Sequence, residues 1–362
     1  MKDLFKQLVA ASSAPSGEGE VRKILRHALE GCVDEIRADR LGNLIATKRG
    51  RPGGPVLMLS AHMDEIGLMV SKIEPSGIVR FEKLGMIDDR VLPTQLVTLV
   101  TRQGKITGVI GQPAAGLLTP DEKKGIVPFR KLFVDIGSFS REETERRGVR
   151  LGDLITFRGD YLDLGKNIIV TKSVDDRTGL ATMVGAMQSL VGKEHEATVV
   201  AVGLSQHEVG LRGARTAAYS VHPDVAIHID VTGHFPDLAV QDIFMGKGPV
   251  VRLMEDYGTD IGFGAQLGVF CSRAVTDLLT ETAQRENIPY QMQIKPGIIN
   301  DEVVIHTSRE GVLTGYVLIP ARYIHSAHEL VQWDDVENAV RLVAGFAQAV
   351  TGQFVETACQ LE

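Results

Sequence analysis

Cysteine is nearly missing from this 362-residue chain: Cys32, Cys271 and Cys359 are odd in number, widely scattered and in no CxxC spacing. That argues against a disulfide framework and a thiolate metal site, and it leads us to expect a reducing, cytoplasmic setting. Aromatic side chains are also scarce, at 5% with one Trp and six Tyr, so there is little to stack on a sugar. Basic charge is not in excess. The formal net charge of -7 gives nucleic-acid binding no compositional support. No apolar run is long enough to span a bilayer, and the opening "MKDLFKQLVAASSAPSGEGE" carries acids in its first turns, so neither a membrane partner nor a secretory signal is expected. A GxSxG elbow, a P-loop and a GxGxxG turn between strand and helix are all wanting, which removes the commonest serine-hydrolase, phosphate and dinucleotide chemistries.

What is present reads as a soluble α/β protein, with 44% hydrophobic and 23% charged residues. The length suits one large domain carrying an insertion, or two domains. "DLFKQLVAAS" and "GEGEVRKILRHALEGC" have the period of amphipathic helices. Two short strands turn at Asn43 and lead into the apolar run "VLMLSAH". From about residue 68 the pattern changes to period-two alternation with glycine turns, as in "QLVTLVTRQGKITGVIG", which predicts a small β-barrel or sandwich. Helical patterning returns at "DRTGLATMVGAMQSLVG", and strand-like runs then alternate with helices to the end. This predicts an α/β domain with a mixed sheet from residues 1–67 and 165–362, interrupted by a β insertion over 68–164. The serines of "GSFSREE" and "IHTSREG" read as helix N-caps, since neither has a suitably placed base.

Acids and histidines gather near the ends of the apolar runs, where open α/β sheets place their ligands. "SAHMDE" holds His62 and Asp64, two residues apart. "KSVDDRTG" holds Asp175 and Asp176, "GLSQHEVGLRGA" holds His207 and Glu208, "VAIHIDVTG" holds His228 and Asp230, and "ARYIHSAHEL" holds His325 and His328. Each stretch taken singly is explained by capping or by a satisfied structural histidine. Together, three acids and two histidines, each expected to close a separate apolar strand, form a mixed nitrogen and oxygen set that suits two zinc-like ions sharing one carboxylate. Calcium would call for more oxygens and no imidazole. Paired carboxylates could instead hydrolyse a glycoside, but that reading leaves the histidines unexplained.

"AHMDEIGLMV", "DDRTG", "EVGLRGA" and "RYIHS", in this order and spacing, make the chain resemble the M42 family of metallo-aminopeptidases over nearly its whole length. The resemblance implies a zinc-exopeptidase-like fold in which His62 and Glu208 each bind one of two ions, Asp175 bridges them, and Asp230 and His325 complete the shells. Asp64 is then the carboxylate that fixes His62, and the Asp175–Asp176 peptide is cis. The ions are expected to be zinc, with cobalt or manganese as alternatives. The substrate is expected to be a short peptide cut at its N-terminus. The β insertion would build a homo-oligomer, from dimers up to a tetrahedral dodecamer. The chain departs from the family at three places: His207 stands where members have a proton-accepting glutamate, Ala327 replaces a usual proline, and "IINDEVVIHTSREG" replaces a "GGTDA"-like segment while keeping Asp301. An imidazole with an ordinary pKa of about 6.5 suits a general base near neutrality. Two other readings share the same metals: a metal-loaded binding protein of weak activity, and a hydrolase of a non-peptide amide.

Overall fold

In a computed structural model, residues 1–114, 116, 119, 124–236, 243–256 and 268–361 are described. A 12-stranded mixed sheet runs through the molecule. Its centre is four parallel strands lying side by side, Thr198–Leu204, Val56–His62, Val225–Gly233 and Leu313–Arg322. Antiparallel strands flank them, with Leu44–Lys48 and Glu35–Ala38 on one side and Glu329–Gln332, Ile168–Thr171 and Leu162–Asp163 on the other. The central runs are apolar on both faces because both are covered. Helices Lys2–Ala10, Gly19–Leu29, Val174–Ser189 and Trp333–Ala349 cover one face over the main core, and Arg212–Val221 covers part of the other. Since the four strands point the same way, their C-terminal ends and following loops share one sheet edge.

The chain leaves that edge at His62 and, five residues later, enters a closed antiparallel barrel. Its strands are, in spatial order, Gly67–Ile73, Val79–Leu84, Phe133–Asp135, Gly104–Gly111, Leu96–Thr101 and Leu154–Phe157. Of the two β forms expected, the barrel is the one found. It closes because its first strand pairs with its last, Gly67 opposite Thr156, and it fills with its own core of residues such as Leu68, Phe81, Leu99 and Ile155.

"DDRTG" fixes the main helix to the sheet. Asp175 and Asp176 have non-helical backbone angles, and their peptide bond is cis, as the resemblance implies. Asp176 then ties the helix start to the central strand: one carboxylate oxygen accepts from the Gly179 N–H at 2.9 Å and the other from the His62 N–H at 3.1 Å. Arg177 is fully buried and donates to the carbonyls of Met63 at 2.8 Å and Asp64 at 3.2 Å. Gly179 has no room for a methyl, because a Cβ there would sit 2.3 Å from Asp176 and 2.6 Å from the Ile229 carbonyl. Of the two serine caps expected, Ser140 does accept from the Glu143 N–H. Ser308 does not cap a helix; it lies just after the short buried helix Glu302–Ile305. All three cysteines are free, and no helix among the described residues is long and apolar enough to cross a membrane.

Candidate metal centre

Four of the five expected donors do not close their strands. Only His62 ends one. Asp230 lies inside the strand Val225–Gly233, because the apolar run continues past it through Val231. Glu208 is on a turn four residues beyond its strand, His325 three beyond its own, and Asp175 four beyond Ile168–Thr171, at the helix entry. The parallel arrangement brings them together regardless. Asp175 lies between two imidazoles, with Oδ1 2.9 Å from His62 Nε2 and Oδ2 3.3 Å from His325 Nε2. Asp230 Oδ1 is 3.9 Å from His62 Nε2, and Glu208 Oε2 is 4.0 Å from His325 Nε2. Ligand atoms of His62, Asp175 and Glu208 all lie within 4.8 Å of one another.

Second contacts orient these groups. His62 Nδ1 donates to the backbone carbonyl of Asp64 at 3.0 Å, which leaves Nε2 turned toward Asp175. The carboxylate of Asp64 was expected to do this, but it stands 3.7 Å from the ring and is occupied elsewhere. Its Oδ1 accepts from the His207 N–H and its Oδ2 from the Glu208 N–H, each at 3.0 Å. One buried carboxylate thus holds the backbone of two successive site residues. Glu329, which sequence reasoning missed, accepts from the Asp175 N–H at 3.0 Å. Nothing in "HEL" signals that role. His328 is exposed beside it and stays outside the cluster.

The site is an electrostatic knot. Burial would raise Asp175, yet hydrogen bonds from His325 and His62 hold it well below the ordinary carboxylate range. Burial pushes Glu208 up to about 7, with Asp175 adding to the rise while His325 and His62 oppose it. Burial works against the His325 imidazolium, but Asp175 and Glu208 carry its pKa up to about 10. Burial and the charges of Asp230 and Asp175 raise Asp176 well above the carboxylate norm. Buried carboxylates this close cost several kcal/mol each without compensation. Divalent cations are the natural compensation, and the donors fit them: imidazole nitrogens and carboxylate oxygens, with no thiolate.

The ligand set expected from the sequence would make metal binding displace protons. A metal ligand must be neutral imidazole or ionised carboxylate, so if His325 and Glu208 are ligands, loading the site at pH 7 expels the His325 proton and part of one from Glu208. Apparent metal affinity is therefore expected to rise with pH. The slope is about tenfold per unit for each proton displaced, steepest below pH 7 where both groups are protonated. Calorimetric titration in buffers of differing ionisation enthalpy measures the release, and an affinity flat between pH 6 and 8 would contradict it.

His207 is not grouped with Asp175, but it offers a ligand atom within 4.8 Å of those of His62 and Asp230, and likewise of those of His228 and Asp301. Its ring stacks on His62 with centroids 4.1 Å apart and planes 6° from parallel. Its Nδ1 lies 2.7 Å from Asp301 Oδ2. His228 is buried next to Asp230, at 3.3 Å, and Ser60 Oγ is 3.1 Å from its other nitrogen. The two members of the "HE" pair therefore face different partners from one turn.

A buried cluster of histidines and acids at the C-terminal ends of four parallel strands, beside an inserted barrel, is the arrangement a metal-dependent hydrolase requires. Comparison with known proteins makes this specific. The family description of M42 glutamyl aminopeptidase matches residues 42–342. Lysyl aminopeptidase of Pyrococcus furiosus is 33% identical over 345 residues, covering 94% of each chain. Among solved structures, a TET aminopeptidase from a marine sediment archaeon of the Thaumarchaeota superposes with a TM-score of 0.93 at 31% identity, over 99% of both chains. The TET1 peptidase of Pyrococcus horikoshii, which can assemble into a tetrahedron or a large octahedral shell, superposes with a TM-score of 0.84 at 30% identity, over 96% of this chain and 98% of that one. The chain belongs to the M42 family and is a metallo-aminopeptidase.

Proposed function

We propose that the protein is a co-catalytic two-metal aminopeptidase that removes N-terminal residues from short peptides, with His207 as its general base. The observation that carries the two-metal reading is Asp175, a buried carboxylate with one oxygen toward each of two imidazoles, the disposition of a bridging ligand. His62 and Asp230 would hold one ion and His325 and Glu208 the other. Zinc suits the donors best, with cobalt or manganese as substitutes. When bound, such ions supply Lewis acidity and a water acidic enough to attack at neutral pH. The protein's own residues do the rest. His207 accepts the proton of the attacking water and returns it to the leaving amine. The free amine of the substrate is drawn to the same carboxylates, which restricts cutting to the first residue.

The inserted barrel would be the assembly module of a homo-oligomer built from dimers, up to a tetrahedral dodecamer. In support, its unit exposes Phe139, Leu151, Met86 and Ile126, and a similar peptidase forms closed shells. Protein of measured native mass, reconstituted with zinc, cobalt or manganese, tests the whole reading on aminoacyl anilides and short peptides. Release above a His62→Ala control is expected from an oligomer. No release with any of the three metals would overturn the activity, and a single-chain mass would overturn the assembly.

A further inference from the structure

Asp301 opens the short helix Glu302–Ile305, and a carboxylate at that place ordinarily caps the helix. This one does not: its side chain makes no capping hydrogen bond. It is fully buried, and Oδ1 has no partner among the described residues. Its other oxygen is 2.7 Å from His207 Nδ1, within the range of a charge-assisted bond, whereas His228 Nε2 at 3.6 Å lies outside hydrogen-bonding distance. A carboxylate that forgoes its local role and is sealed from water is directed at one imidazole.

The consequence is a choice of tautomer. An ionised carboxylate only accepts, so His207 Nδ1 carries the hydrogen, and in the neutral imidazole Nε2 then keeps the lone pair. Nε2 has no hydrogen-bond partner among the described residues. The ring cannot turn over readily, because it stacks on His62 and its main-chain N–H is held by Asp64. A glutamate at position 207 would need no such help, since its two oxygens are equivalent. An imidazole does need it, since the wrong tautomer presents N–H where an acceptor is required.

We propose that Asp301 is a positioning residue for His207: it fixes the Nδ1–H tautomer and so makes an imidazole serviceable where a carboxylate would otherwise stand. This rests on the reading of His207 as the base, and the test separates the two. Asp301→Asn is made in the natural chain and in the His207→Glu chain, both zinc-loaded. In the natural chain kcat is expected to fall about 10²–10⁴-fold, the cost of a misdirected or lost base, with KM and zinc content within about threefold. In the His207→Glu chain the same exchange is expected to change kcat by less than about tenfold. An equal loss in both backgrounds would make Asp301 merely structural and overturn the proposal.

A neutron structure of the zinc-loaded natural protein reads the tautomer directly and needs no variant to fold. A deuteron on Nδ1 supports the proposal, and a deuteron on Nε2 with Nδ1 bare overturns it. A cation ligated by His207, whether with His228 and Asp301 or with His62 and Asp230, visible by anomalous scattering, overturns it as well, because it would make His207 a ligand. If His207→Gln keeps full activity, the base reading itself has failed. If His207→Gln is inactive while Asp301→Asn is unharmed, only the positioning role has failed.

Discussion

Changing Asp175 to asparagine should leave a folded protein that neither retains metal nor cleaves peptides. The substitution keeps the volume of the side chain and removes its charge. It also turns an amide nitrogen toward one of the two imidazoles that now face carboxylate oxygens at 2.9 and 3.3 Å. Loss of a partner that merely supports a ligand costs about 10–100-fold in metal affinity, so loss of the proposed bridging ligand is expected to exceed about 100-fold for both ions together. Metal content after gel filtration and the rate on an aminoacyl anilide measure this. Two ions retained with a rate near the natural one would remove Asp175 from the bridging position. Retention of one ion would mean that it serves a single metal.

The second large effect concerns His207. Glutamine at this position cannot take a proton at neutral pH, so kcat is expected to drop by about 10²–10⁴ with metal content unchanged. Glutamate is expected to keep kcat within about tenfold of the natural chain, because it offers a carboxylate base from the same turn. The two substitutions bracket the role. If glutamine is tolerated, proton transfer does not pass through residue 207. If glutamate and glutamine are equally damaging, the position requires an imidazole for some task other than accepting a proton. Burial opposes the charged form of His207, but Asp301, Asp230 and Glu208 favour it strongly enough to raise its pKa well above the ordinary histidine value. Two divalent cations would push in the opposite direction, so the comparison belongs on metal-loaded protein.

The metal-ligand candidates were legible in the sequence because each lies within a few residues of an apolar run, and a parallel sheet gathers such places at one edge. What sequence could not give was their exact seat. The run around Asp230 reads as ending there, yet the strand carries on to Gly233, since Val231 and Thr232 are buried as well. His62 and Asp64 looked like two residues of one strand face. The strand stops at His62, so a carbonyl takes the place expected for a carboxylate. The alternation over the middle third announced a sheet but not its closure, which depends on pairing Gly67–Ile73 with Leu154–Phe157, some ninety residues along the chain. The partnership of His207 with Asp301 spans a similar distance. Glu329 was invisible for a related reason: it acts on a main-chain N–H 154 residues away, whereas sequence motifs encode such bonds only between near neighbours.

Asp64 grips positions 207 and 208 through hydrogen bonds to their peptide groups, whatever side chains project from them. The main-chain bonds from Asp64 therefore do not depend on which side chain stands at 207, and the acid at 208 can keep its register with its neighbours when that side chain is exchanged. One proton acceptor can thus replace another at this spot without dismantling the cluster beside it, a separation of scaffold from reagent between two successive residues.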